Sequence, residues 1–441
     1  VFLHGTSRVN EKGHLEIGGC DTTDLVRAYE TPLYVYDEEL IREKCQAYVK
    51  AFEASGFRFQ VAYASKAFMC MAMCQLVMEE QMSLDVVSAG ELYTALKAGF
   101  PAERIHFHGN NKTEEELEMA LDAGIGCFVV DNFFELELLH DLAHKKDRIV
   151  PILLRLTPGI EAHTHDYIST GQDDSKFGFG VASGQALQAV KVALDKPFYK
   201  LLGIHSHIGS QIFDTTGFVG AVEVLGAFLE QVRAETKYEV EVLNLGGGFG
   251  IRYTEEDDPL PVGEYVKVIT AEVRRQFAAT SYPLPEIWIE PGRSIVGDAG
   301  TTLYTVGSVK DIPGIRKYVA VDGGMSDNIR PALYQAKYEA MLANRAGEKA
   351  VDKVSIAGKC CESGDMLIWD YVLPEANPGD ILGVSCTGAY GYSMANNYNR
   401  IRRPAVVFVK EGRAEVAVER ETYEDLIKND RIFPRVLSRS V

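Results

Sequence analysis

Four short stretches of this chain carry groups that could do chemistry. They are Lys66 in YASKA, His205 and His207 in HSHIGS with Ser210, the glycine run Gly246, Gly247, Gly248 in GGGFG, and Glu290, Pro291, Gly292, Arg293 in EPGR. Singly, each has a plain structural reading. A lysine at a strand end is ordinarily a solvated charge. HSH reads as a polar edge or as two metal ligands; no third and fourth ligand is evident, so no metal is expected. GGGFG makes tight turns, or aims backbone amides at a phosphate. Together they suit one chemistry. An amine for a Schiff base, a phosphate cradle, an imidazole to stack on a ring and a carboxylate are what pyridoxal 5'-phosphate needs. Glu290 against the pyridine nitrogen would keep it protonated, and a protonated ring accepts the electrons left when CO2 departs. A cation there would suit milder proton transfer, so a racemase-like reaction is disfavoured.

These residues can cooperate only if their strand ends share one rim. Eight apolar stretches read as strands: 59–66, 82–88, 105–109, 127–131, 149–157, 201–209, 242–248 and 286–292. Amphipathic segments with Ser, Thr or Asn near their starts separate them. Eight β–α alternations predict a (β/α)8 TIM-like barrel, whose active site lies at the C-terminal strand ends. An open doubly wound sheet is the alternative. GGGFG is no dinucleotide fingerprint, because it does not open an N-terminal βαβ unit. After residue 292 strand patterns follow without regular helices, predicting a C-terminal β-rich (β-barrel) domain. The expected division is 1–35 joining the β-domain, 36–292 as the barrel, and 293–441 as the β-rich part.

Composition narrows the function classes. The 441 residues suggest two domains. Lys plus Arg number 45 against 63 Asp plus Glu, a formal charge of −18, which argues against nucleic acid or an anionic membrane as partner. No apolar run reaches the ~20 residues of a membrane span, and the opening VFLHGTSRVN lacks a signal-peptide pattern. Eight cysteines in so long a chain form no disulfide framework, so a reduced, cytoplasmic protein is expected. His140 and His144 read as a solvated helix face. Cys70 and Cys74 read as core.

At this level the chain resembles the barrel-type, fold III pyridoxal-phosphate decarboxylases, and within them the diaminopimelate decarboxylase family. The likeness runs from TPLYVYD (31–37) to NYNRIRRPA (397–405). AHTHDYISTG with SKFG, CCESGD and AYGYSMANNYN form its specific part. The resemblance implies that Lys66 carries the Schiff base, His207 stacks on the ring, and Glu290 pairs with the pyridine nitrogen. Ser210, Gly246 to Gly248 and the backbone of Glu290 to Arg293 would hold phosphate. Cys361 would reprotonate the carbon after CO2 loss, with Cys360 beside it. Glu362 would bind the distal ammonium, and Arg293, Arg330 and Tyr334 the distal carboxylate. Tyr390 would touch cofactor and substrate. Two arginines and a glutamate suit a substrate with an amino-acid head at each end. The implied reaction is decarboxylation of meso-diaminopimelate to L-lysine, in a homodimer whose Cys361 and Glu362 serve the neighbouring copy. The rivals are a sister decarboxylase of ornithine, lysine, arginine or a carboxylated polyamine, and a non-catalytic pyridoxal-phosphate-binding regulator. His163 and His165 are left as a polar loop beside the site.

Overall fold

The protein was analysed as a computed structural model that describes residues 1–159 and 173–437. The motif AHTHDYISTG, with His163 and His165, lies outside the described residues. Two compact units divide the chain. One holds 1–6, 37–300 and 385–393; the other holds 7–36, 301–384 and 394–441.

The first unit is a closed parallel barrel. Its strands are β1 (Phe59–Ala64), β2 (Ser83–Val86), β3 (Ile105–Phe107), β4 (Cys127–Val130), β5 (Val150–Thr157), β6 (Tyr199–Ser206), β7 (Val242–Asn244) and β8 (Glu286–Ile289). Each pairs in parallel with the next, and β8 pairs back onto β1. Seven fall within the stretches expected from the sequence, and β6 starts two residues before its expected stretch of 201–209. A helix follows each of the first seven, from Met71–Glu79 to Val262–Ala279. After β8 there is only the single turn Arg293–Val296. The eighth helical place goes to Glu38–Ser55, before β1 in sequence. It packs on Val262–Ala279, and its Arg42 reaches Glu79 at 2.7 Å and Glu80 at 3.0 Å.

Caps set where these helices begin. Ser88, Thr113 and Asn132 each accept the N–H three residues on, at 2.9–3.1 Å, satisfying donors a helix start leaves open. Cys70 does the same with its sulfur for Met73, and Cys74 is buried, so both thiols belong to the packed interior. The expectation for His140 is corrected. It is buried, not solvated, and its Nε2 accepts the N–H of Phe198 at 3.1 Å.

The barrel interior is layered by the two-residue period of its strands. Cys127, Val129, Leu153, Val242 and Trp288 form an apolar cluster, with the His106 ring stacked on Trp288 at 4.4 Å. Two residues further along β3, β5 and β8 come His108, Arg155 and Glu290, all buried. The same alternation that fills the lower core therefore lifts a polar layer toward the C-terminal rim.

The second unit is β-rich. Its main sheet runs in the order 366–373, 352–357, 316–321, 300–312, 33–37, 405–410, 413–418, and 340–342 with 381–385 branch from it. The strand patterns expected after residue 292 are present. Strand Leu33–Asp37, between 300–312 and 405–410, and the short Ala340–Leu342 are additions.

Candidate active site

Lys66 sits in the single turn Ser65–Ala67 that leaves β1. Ser65 and Ala67 are buried, whereas Lys66 itself is exposed. The turn is anchored and the side chain projects from the rim.

His207 lies just past β6. Its Nδ1 accepts the N–H of Gly247 at 3.3 Å, so a neutral ring carries its hydrogen on Nε2. Burial holds the pKa of His207 well below that of a free imidazole, and the charges of Lys66 and Arg155 add to this. His205 faces the other way, onto Glu290. The HSH motif is thus not a ligand pair; alternate residues serve different tasks.

The glycine run is a cradle by necessity. A Cβ on Gly247 would stand 2.2 Å from the Glu290 carbonyl oxygen, and one on Gly248 (φ +91°) 2.3 Å from that of Gly209. No side chain fits between these backbones. Beside the cradle, the Arg293 guanidinium donates to Ser210 Oγ at 2.9 Å and to the Tyr253 hydroxyl. The Tyr390 ring lies 4.9 Å from that guanidinium, and the Tyr390 N–H donates to Ala67 O at 2.9 Å. A closely approached backbone with a cation and a hydroxyl beside it matches the donor set a phosphate requires.

Glu290 is the buried anion of the site. His205 Nε2 lies 2.6 Å from one carboxylate oxygen and His108 Nε2 2.5 Å from the other. Burial alone would raise its pKa, but the two imidazoles outweigh this and hold it well below the usual carboxylate range. Asp85 goes the opposite way: burial and the nearby Glu290 charge raise it well above that range. Two carboxyls in one dry pocket are thus pushed apart, Glu290 toward its ionised form and Asp85 toward its protonated one. The atoms of His108, His205 and Glu290, and those of Asp85, His106 and Glu290, lie close enough to hold a metal ion. In the first set each carboxylate oxygen already meets an imidazole Nε2.

The barrel unit therefore gathers Lys66, His207, Ser210, Gly246 to Gly248, Glu290 to Arg293 and Tyr390. The remaining expected residues belong to the second unit. Arg330 is buried and donates to the Tyr338 hydroxyl at 2.7 Å. Tyr334 ends the same short helix, Arg330–Tyr334. Cys361 and Glu362 are exposed, whereas Cys360 is buried and its thiol is pushed up to about 11 by burial. Asp365 accepts the N–H groups of Met325 at 2.7 Å and Cys360 at 2.9 Å. It ties the loop carrying Cys361 to the one leading into Arg330.

Sequence reasoning passed over His108, Tyr253, Asp365 and Asp85 as site residues. The signal for the first was present. IHFHG alternates two histidines with two apolar residues, and in a barrel strand the polar face points inward.

Comparison with known proteins agrees with this geometry. Residues 38–297 match the family model for the pyridoxal binding domain of pyridoxal-dependent decarboxylases. A diaminopimelate decarboxylase of Halalkalibacterium halodurans is 65% identical over 430 residues, 98% of each chain. One of Bacillus subtilis is 64% identical over 98% of this chain and 99% of its own. A solved diaminopimelate decarboxylase from M. jannaschii, also known in complex with L-lysine, superposes with TM-score 0.91 at 36% identity over 98% of both chains. A barrel rim with a phosphate cradle and a clamped glutamate, matched over its length by such relatives, places the chain in the pyridoxal-dependent decarboxylase family, among the diaminopimelate decarboxylases.

Proposed function

We propose that the chain decarboxylates one end of meso-diaminopimelate to give L-lysine and CO2, with pyridoxal 5'-phosphate held at the barrel rim. The observation that carries this reading is Glu290, an ionised carboxylate buried beside a glycine cradle. When bound, the cofactor supplies the electron sink for the breaking carbon–carbon bond.

The chain's own residues do the rest. Lys66 is the amine for covalent attachment, projecting from an anchored turn. His207, kept neutral, packs on the ring. Ser210, Gly246, Gly247, Gly248, Pro291 and Gly292 hold the phosphate, and Arg293, bonded to Ser210, brings the positive charge. Glu290 keeps the ring nitrogen protonated. Cys361 delivers a proton to the carbon that has lost CO2. Glu362 takes the distal ammonium, and Arg330 with Tyr334 the distal carboxylate. Arg293 also lies with the phosphate residues, so most of that carboxylate's recognition falls to Arg330. Tyr390, beside Arg293, borders cofactor and substrate.

The working form in this reading is a homodimer. Cys361 and Glu362, exposed on a braced loop, complete the site of the neighbouring copy. Eight free cysteines support a reduced cytoplasmic setting, and among the described residues no helix is long and apolar enough to cross a membrane.

The test is CO2 release by the purified protein with pyridoxal phosphate from meso-diaminopimelate, L-ornithine, L-lysine and L-arginine. Selective release from meso-diaminopimelate, with L-lysine appearing, is expected. Release from one of the others instead would overturn the roles of Arg330 and Glu362.

A further inference from the structure

Glu290 has work to do that a buried carboxylate does badly unaided. Burial favours its protonated form, and a protonated Glu290 could not keep a hydrogen on a ring nitrogen. The surroundings of the side chain answer this. His108 comes from the end of β3 and His205 from β6, and each places Nε2 on a different oxygen, at 2.5 and 2.6 Å. An ionised carboxylate only accepts, so both Nε2 atoms carry hydrogen. His205 Nδ1 is buried without a partner. That fits a neutral ring with its one hydrogen on Nε2, and burial pushes this imidazole down to about 4 despite the Glu290 charge. The two rings meet edge to face, centroids 4.9 Å apart at 66°, so neither turns without displacing the other.

We propose that His108 and His205 are positioning residues for the reaction: two imidazole donors, one on each oxygen, that hold Glu290 ionised and aimed. Each oxygen keeps a second lone pair, which leaves the carboxylate free to face the ring nitrogen of the cofactor. This rests on the reading of Glu290 as that nitrogen's partner. Other charges also face Glu290. Asp85 on β2 is pushed by burial and by the Glu290 charge away from its anionic form, which lessens the competing charge. His106 on β3 is neutral near pH 7, lowered to about 4 by burial. Arg155 on β5 adds a cation, and burial raises the Cys127 thiol on β4 above neutrality. His207, past β6, is neutral. Asp85 also touches Glu290, but each carboxylate oxygen has its own imidazole Nε2.

The test uses holoenzyme loaded with pyridoxal phosphate labelled with 15N in the ring, read by the nitrogen's chemical shift across pH. Wild type is compared with His205→Leu, His108→Leu, and the donor-keeping His205→Gln and His108→Gln. In wild type the ring nitrogen should stay protonated through neutrality. Each Leu variant should lose that proton about one pH unit lower, a tenfold shift for one lost charge-assisted hydrogen bond, and the Gln variants should recover most of it. Loss of packing alone would not be repaired by an amide donor. If the Leu variants bind cofactor and hold the proton to the wild-type pH, the inference falls and the reading of Glu290 stands. If wild type itself has an unprotonated ring nitrogen, the reading of Glu290 falls first. Should the Leu variants not fold, ring 15N spectra of wild-type histidines decide. Two hydrogens on Nε2, shifted downfield, are expected; hydrogens on Nδ1 alone in both rings would overturn the proposal.

Discussion

Glu290 and Glu362 are both glutamates assigned to meet a cationic group, yet they are built in opposite ways. Glu290 is buried, with an imidazole on each oxygen. Glu362 is exposed and accepts the N–H of Gly364 in its own loop at 3.1 Å. The same contrast separates the two units' contributions as a whole. The barrel residues are bonded to one another, Arg293 to Ser210 and His207 to Gly247. The second unit's residues are braced from behind, by Asp365 under the cysteine loop and Tyr338 beside Arg330. A carboxylate that must stay charged in a dry interior needs its donors supplied by the fold. One that meets an ammonium arriving from water does not.

The largest effect that could break this division is at Lys66. Lys66→Ala should lower kcat by more than about a thousandfold and remove the Schiff-base absorbance of the purified enzyme; normal turnover would sink the barrel assignment. Next is the pair of thiols. Cys361→Ala should cost about a hundredfold in kcat, the scale of a lost general acid, while Cys360→Ala should change kcat by less than about threefold, steady-state rates being the check. If Cys360 proves the sensitive one, the proton donor is the buried thiol. Mixing the Lys66→Ala and Cys361→Ala proteins after subunit exchange should restore up to about a quarter of wild-type activity, because one site in such a hybrid has both residues. No recovery would mean that each copy completes its own site.

A smaller change is expected at Arg330. Arg330→Lys keeps the charge but loses the two-pronged grip, so KM should rise about tenfold with kcat little altered. A fall in kcat at constant KM would move Arg330 out of ground-state recognition. The smallest effect is on stability. Burial pushes Asp327 up to about 7, although Tyr304 and Gly324 donate to it and lower it. A carboxyl with a raised folded pKa contributes stability in full below its unfolded value of about 4, and loses it as pH rises through the folded value. The stability advantage of wild type over Asp327→Asn should therefore shrink between those limits by about 2–4 kcal/mol. Denaturant melts at both ends check this, and a constant difference would remove Asp327 from the pH dependence.

Much of this is legible in the sequence. Strand ends such as YASK and HSHIG are set by apolar runs stopping at polar residues, and the rim of a barrel then follows from topology. His108 was not found, because IHFHG was read as a strand and its inward face was not followed across to Glu290, which is 182 residues away. Asp365 was missed for another reason. Its task is to bind backbone, and backbone partners leave no mark on side-chain spacing. His140 failed because charged neighbours in LLHDLAHKK suggested water, whereas a single buried N–H from Phe198 decided its place.

The return of residues 385–393 to the barrel unit has a consequence for synthesis. Thr387 and Gly388 donate to Gly300 and Gly297, and Tyr390 to Ala67. A Cβ on Gly388 would stand 1.8 Å from Val296 O, so the strap seats flush on the barrel. A ribosome that has released residues up to 300 has exposed all eight barrel strands, but not this strap. The nascent barrel can close early, yet its rim stays unfinished until residues 301–384 of the second unit have been made. Domains generally fold in the order they emerge; here the barrel's last piece emerges only after most of the other unit.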